Sequence, residues 1–246
     1  MPRQPRQKSE SGIYHIMLRG INRQIIFEDS EDQARFLGTL KKYRDQCGYK
    51  VYAYCFMGNH VHLLLKEGKE DLAHSFKRIA GSYVYWYNQK YDRCGHLFQD
   101  RFRSEAITDD GHYLTVLRYI HQNPVKAGLC KRSQDYPHSS MGEYLQKPEL
   151  IDTELTYALV TPQQFVQWHQ VETDEPCMDV ESYSHIPEAE AKKIMVAVSG
   201  CATGSEFQKL ERTERNRCLQ AMRKRGLSVR QINRLTGIAR ETIAKS

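Results

Sequence analysis

Two short stretches of this chain carry residue types that can do chemistry together. The first is Asn59-His60-Val61-His62-Leu63-Leu64-Leu65. On a β-strand alternate residues share a face, so His60 and His62 point the same way with Cα atoms about 6.6 Å apart, close enough for two imidazoles to grip one ion. The same spacing suits two polar residues on the wet face of a half-buried strand, and the pair alone does not choose. The second is Leu114-Thr115-Val116-Leu117-Arg118-Tyr119-Ile120-His121-Gln122-Asn123-Pro124. Tyr113, Val116, Leu117 and Ile120 form an apolar stripe at helical spacing, and Tyr119 and Asn123, four apart, lie together on an adjoining face. A tyrosine there is a candidate nucleophile, although a tyrosine at the core margin fits the same pattern. Pro124 has no N–H to donate, so Asn123 is expected to end this helix and cap the next.

The elements that must position these residues can be read from periodicity. Gly12 to Arg19 alternates as a strand, and Asp29 or Ser30 caps a helix through Ala34, Phe36, Leu37, Leu40 and Tyr43 that ends near Gly48. Lys50 to Phe56 and Val61 to Lys66 read as two strands joined at Gly58-Asn59, a tight turn by composition. A long helix follows from about Glu70 to Tyr91, with Leu72, Phe76, Ile79, Tyr83 and Trp86 on one side. Arg103 to Thr108 makes another strand, and Asp109 or Asp110 caps the helix that carries Tyr119. The order β-α-β-β-α-β-α predicts an α+β domain, ferredoxin-like or palm-like, with an antiparallel sheet and its helices on one face.

The charge distribution divides the chain. Between Glu149 and Glu190 there are ten acidic residues and no Lys or Arg, whereas Ser205 to the end holds eleven basic residues against four acidic ones. Two basic blocks flanking an acidic connector suit a polyanionic partner. The expected organisation is a catalytic domain over 1–148, an acidic connector over 149–204 with one or two short helices, and a tail over 205–246 with two or three. In that tail Leu227 to Ile243 reads as a helix-turn-helix: Val229, Ile232 and Leu235 pack the first helix, Thr236-Gly237 turns the chain, and Ala239 starts the recognition helix. Arg230 and Arg240 are its candidate DNA contacts. Seven scattered cysteines without CxxC spacing fit reduced thiols, and the basic N-terminus has no apolar stretch behind it, so a cytoplasmic location is expected. No membrane partner is expected, and no glycine-rich phosphate loop points to a nucleotide cofactor.

Taken together, the motifs resemble the single-tyrosine transposases of the His-hydrophobic-His (HUH) nuclease superfamily, and among them the REP-associated tyrosine transposases. Four stretches carry the resemblance in order: Tyr14-His15-Ile16 with Arg19-Gly20; Met57 to Leu64; Gly95-His96-Leu97-Phe98-Gln99-Asp100-Arg101-Phe102; and Arg118-Tyr119-Ile120 running into Asn123-Pro124-Val125-Lys126-Ala127-Gly128. The one departure is Gly58, where relatives often have proline. The resemblance implies that His60 and His62, with Asn123 as third ligand, bind Mg²⁺ or Mn²⁺. It implies that Tyr119 cuts single-stranded DNA at hairpin ends, forming a 5′-phosphotyrosine link that a second 3′-hydroxyl can resolve in transposition or recombination. Arg19, Arg23, Arg78, Arg101, Arg103, Arg118 and Lys126 lie in or beside these motifs and are the expected phosphate contacts. A homodimer, with the tyrosine serving its own or its partner's site, stays open. The alternative reading from another class is a DNA-binding regulator on the same fold that does not cut.

Overall fold

The computed structural model describes residues 7–171, 177, 188–227, 229–239 and 242–243, which fall into two compact units, 1–178 and 179–246. In the first unit β1 (Ile13–Arg19), α1 (Ser30–Cys47), β2 (Lys50–Met57), β3 (His60–Lys66), α2 (Leu72–Lys90), β4 (Arg103–Ala106) and α3 (Asp110–Lys126) follow in the expected order. The strands form one antiparallel sheet, β2-β3-β1-β4. Asp29 caps α1 in a reciprocal capping box with Asp32, Asp71 caps α2, and Asp109 caps α3. These caps settle the helix starts that composition alone left between neighbouring residues.

The two crossover helices share one face of the sheet. Phe36 of α1 packs edge-on against Phe56 of β2 and against Tyr83 of α2, with ring centroids 5.3 and 5.0 Å apart. Phe27 completes this aromatic cluster, and the Tyr83 hydroxyl donates to the Ile26 carbonyl. The third helix does not join them. Phe56 pairs with Val61, so the aromatic face is the Val61-Leu63-Leu65 side of β3, whereas α3 meets His62 on the other side. The expectation of helices on one face therefore holds for the βαββαβ core and fails for α3. The physical reason is that Ala53, Cys55, Met17 and Leu64 make the histidine-bearing face nearly as apolar as the other, and all four are buried. The α3 stripe of Tyr113, Val116, Leu117 and Ile120 is what covers it.

The helix also outlasts its expected end. Pro124 lies inside α3, and the chain continues helical to Lys126. A proline this close to the C-terminus removes only its own N–H bond, and Ala127 N–H still donates to the Asn123 carbonyl. The helix stops at Gly128, whose φ of 70° supports bonds from Gly128 N–H to Val125 and from Leu129 N–H to Pro124, a Schellman closure. Asn123 consequently remains in register one turn beyond Tyr119 instead of capping a new helix.

The expected connector is divided between the two units. After a short α4 (Met141–Leu145), Leu150 and Ile151 are buried against the first unit, and Val51 bridges Ile151 in parallel. Together with the backbone of 138–140, bonded to Tyr54 and Phe56, this segment covers the outer edge of β2. Helices α5 (Glu154–Leu159) and α6 (Pro162–His169) follow, with Thr156 and Phe165 buried. Asp152 and Glu154 pair with Lys50, and Glu149 pairs with Lys41, so part of the acidic run neutralises the first unit's own lysines.

A buried polar chain ties α6 to α3. His169 Nδ1–H donates to the Phe165 carbonyl, His121 Nδ1–H donates to His169 Nε2 at 2.9 Å, and Ser140 Oγ lies 2.7 Å from His121 Nε2. His169 must be neutral for this pattern, since its Nε2 accepts. Burial holds His121 well below its ordinary value and His169 at about 4. Because the folded values lie below the unfolded one, the stabilisation is complete above about pH 6.5 and erodes as pH falls towards 4, by up to about 1.4 kcal/mol per pH unit for each histidine. Urea unfolding at pH 7.5 and 5.0 is expected to show this loss. The slope should flatten, without vanishing, in a His121→Asn/His169→Gln variant, because His62 and His138 are shifted the same way. An unchanged slope in that variant would remove the pair as its source.

The second unit comprises α7 (Glu188–Ser199), α8 (Gly204–Gln208), α9 (Arg212–Lys224) and α10 (Val229–Thr236). Its own core holds Ala191, Met195, Phe207, Leu219, Met222, Ile232 and Leu235. α7 belongs to this core, so the unit begins well before the expected boundary at 205. No helix among the described residues is long and apolar enough to cross a membrane, and the seven cysteines are free thiols.

Candidate active site

The hairpin of β2 and β3 turns at Gly58-Asn59, with Met57 paired to His60 and Cys55 to His62. Gly58 takes no left-handed conformation, and a Cβ there would meet nothing within 4 Å, so its departure from the family pattern leaves the histidines undisturbed. His60 and His62 share a face as the spacing requires, their rings 5.0 Å apart and at 87° to each other. His62 is fully buried and His60 only partly. Burial, then the neighbouring His15 and His60, holds His62 well below its ordinary pKa, which keeps it neutral and able to donate a lone pair.

α3 brings Tyr119 down on the pair. The Tyr119 ring stands edge-on to His62 at 5.6 Å and to His15 at 5.9 Å. One turn on, Asn123 Nδ2 lies 3.4 Å from His62 Nε2. Tyr119 and Asn123 are 4% and 8% exposed, so both side chains sit beneath the surface rather than on it.

Each histidine has a polar neighbour. The Asn59 side-chain oxygen accepts from His60 Nδ1–H at 2.7 Å, which leaves the lone pair on Nε2. The Asn59 amide in turn donates to the carbonyl of Arg23. That carbonyl belongs to a loop in which Asn22 and Arg23 are both left-handed, with φ of 52° and 63°. Gly20 enters this loop so closely that a Cβ would lie 2.2 Å from the Gln24 carbonyl, which only glycine tolerates. His62 Nδ1 meets His15 Nε2 at 3.0 Å.

The donor set fits a small divalent cation: two neutral imidazoles plus one amide, leaving positions open for phosphate and water. No group of three or more His, Cys, Asp or Glu side chains is arranged for a metal among the described residues.

The expected phosphate contacts separate on the structure. Arg19 pairs across the sheet with His60, and Arg103 pairs with Met17, itself opposite His62, so both side chains belong to the histidine face. Lys126 stands over the Tyr119 ring at 5.4 Å. Arg23 lies in the strained loop, and Arg101 is exposed just before β4. Arg78 sits on α2, across the sheet, and pairs with Glu70. Arg118 is buried with its guanidinium 4.4 Å over Trp168, so it is spent on packing α6. In the tail Arg240 lies outside the described residues, as does the side chain of Arg230. Sequence reasoning gave no role to His15, Glu105 or Asn59. The signals for His15 are its alternation with Met17 and Arg19 along β1 and its place in the Tyr14-His15-Ile16 stretch.

The βαββαβ sheet thus sets a histidine pair beneath a helix-borne tyrosine, an arrangement that can be set beside known proteins. Residues 8–123, just under half of the chain, match the family described as "Transposase IS200 like". It is 29% identical over 105 residues to the REP-associated tyrosine transposase of Escherichia coli, covering 41% of this chain and 59% of that protein. It is 30% identical over 117 residues to a provisionally named REP-associated tyrosine transposase of Haemophilus influenzae, covering 43% of this chain and 66% of that one. The matched region thus falls short of two thirds of either relative. A solved REP-associated tyrosine transposase bound to a REP hairpin has the same fold, with a TM-score of 0.51 at 20% identity over 62% of this chain and 89% of that one.

Proposed function

We propose that this protein is a metal-dependent single-strand DNA endonuclease and strand transferase acting at hairpin sequences through Tyr119. The observation that carries the reading is the meeting of Tyr119, His62 and Asn123 in one buried cluster, assembled from a strand and a helix of the sheet's histidine face. The Tyr119 oxygen attacks phosphorus and loses its proton to water. The bond from phosphorus to the 3′ oxygen breaks, leaving a 3′-hydroxyl on one fragment and a 5′-phosphotyrosine on the other. A second 3′-hydroxyl reverses the step, so phosphoester energy is retained and no nucleotide cofactor is consumed. Mg²⁺ or Mn²⁺ held by His60, His62 and Asn123 supplies charge neutralisation at the scissile phosphate. The family match and the hairpin-bound structural neighbour support DNA hairpins as the substrate class.

The test is a panel of single-stranded hairpin oligonucleotides from the flanks of the gene, 3′-labelled and incubated with either metal. A labelled protein adduct on a denaturing gel is expected. Tight binding with no adduct in any metal would overturn cleavage and favour a non-cutting regulator.

Salt dependence sorts the cations. Arg19→Ala and Arg103→Ala, on the histidine face, should each lower the slope of log affinity against log salt by about 0.7. Arg78→Ala should leave it unchanged, and equal slopes in all three would remove Arg19 and Arg103 from the phosphate path.

The tail is proposed as a second DNA-reading element. Ile232 and Leu235 are buried as a first helix requires, and Gly237, with φ of 70°, turns the chain after Thr236. Ile243, within the expected recognition helix, is buried in the same core.

A further inference from the structure

Behind His62 runs a line of polar groups that the proposed chemistry does not use. Glu105 of β4 and His15 of β1 occupy paired positions, and Glu105 Oε2 lies 3.4 Å from His15 Nδ1. On its other side His15 Nε2 lies 3.0 Å from His62 Nδ1, the two rings stacked at 28°. Both histidines are wholly buried. Elementary hydrogen-bond logic fixes the direction of the line. A carboxylate only accepts, so His15 Nδ1 carries the proton and, in the neutral ring, Nε2 carries a lone pair. His62 must then donate through Nδ1–H, and its own lone pair falls on Nε2, the nitrogen beside Asn123.

We propose that His15, oriented by Glu105, is a positioning residue that locks His62 in the Nδ1–H tautomer and aims its Nε2 at the bound divalent ion. The inference rests on the metal-dependent reading above and deepens it. A ligating imidazole is held by what its other nitrogen touches, and losing that partner typically weakens metal binding by about 10- to 100-fold. A histidine on a neighbouring strand serves here because its ring spans the distance from the edge carboxylate to His62. Glu105 is also 3.9 Å from His112 Nε2, a second anchor on the N-terminal turn of α3.

Two readouts test this on the full chain. Mn²⁺ affinity is measured by calorimetry without DNA for the native protein, His15→Leu, His15→Gln and Glu105→Gln. His15→Leu keeps an apolar side chain of similar bulk but offers His62 no acceptor, and a loss of 10-fold or more is expected. His15→Gln keeps an acceptor oxygen and should recover part of that loss, while Glu105→Gln should fall between native and His15→Leu. Tautomer state is read separately from the ¹⁵N shifts of His62 in metal-free protein, which should report Nδ1–H in the native chain and a mixture in His15→Leu. Unchanged affinity and an unchanged His62 tautomer in folded His15→Leu would overturn the positioning role while leaving the metal site standing. Failure of the native chain to bind Mn²⁺ would overturn both readings. If His15→Leu does not fold, the His15→Gln affinity and the native tautomer decide: an Nε2–H His62 in the native chain refutes the proposal directly.

Discussion

Tyr119→Phe should bind a cognate hairpin within about twofold of the native affinity and form no covalent adduct, with cleavage reduced by at least about a thousandfold. The substitution removes one oxygen and nothing else. The ring keeps its edge-on contacts with His62 and His15 and its place beneath Lys126, so neither α3 nor the sheet should shift. Phenylalanine offers no atom to attack phosphorus, so the loss should resist added metal and higher pH. A 3′-labelled strand resolved under denaturing conditions gives a direct reading, because the adduct holds the label on the protein. Retained cutting at native rates would take Tyr119 out of the nucleophile's role. Loss of hairpin binding together with cutting would instead assign it to packing.

The burial of this tyrosine has a consequence for how substrate reaches it. A phenol 4% exposed can meet phosphate only where the histidine face gives access to it. Arg19 and Arg103 belong to that face by register, and Lys126 stands above the ring. Cations from β1, β4 and α3 thus stand on the side of the sheet that carries the histidines.

Much of this arrangement is legible in the amino-acid order, for identifiable reasons. Strand and helix periods differ enough that the order from β1 to α3 could be read from Ile13 onward, and His60 and His62 had to share a face once Gly58-Asn59 was recognised as a turn. What periodicity cannot supply is which face of the sheet a helix covers. The placement of α3 depends on Ala53, Cys55 and Leu64 being apolar on the histidine side, a property of paired strands rather than of any one segment. The same limit hid His15, whose partners Glu105 and His62 come from strands 90 and 47 residues away. Arg118 misled because a basic residue beside a candidate nucleophile looks electrostatic until Trp168 is seen beneath it. Pro124 misled because its cost depends on how many helical bonds follow it, and here only the last turn does. The start of the acidic stretch misled because charge was weighed above Leu150, Ile151 and Phe165, which are buried in the first unit.

The two histidines should fail differently when truncated. His60 is only partly buried and its Nδ1 leans on Asn59, so His60→Ala should unfold within about 0.5 kcal/mol of the native chain. Its metal-dependent cleavage should nevertheless fall by about a thousandfold, roughly 4 kcal/mol at 1.36 kcal/mol per factor of ten. His62 is fully buried between His15, Tyr119 and Asn123. Truncating it leaves the His15 ring nitrogen without that partner in an apolar surround, a penalty of about 1–3 kcal/mol before any cavity is counted. His62→Ala should therefore lose both cleavage and stability, where His60→Ala loses cleavage alone. Urea midpoints measured beside adduct yields separate the two effects. Chelation of the native protein should reproduce the His60→Ala phenotype without shifting the activity of His60→Ala further. Equal adduct yields from the native chain with and without chelator would end the metal reading, and a His60→Ala protein as destabilised as His62→Ala would show that the pair is held for the fold rather than for an ion.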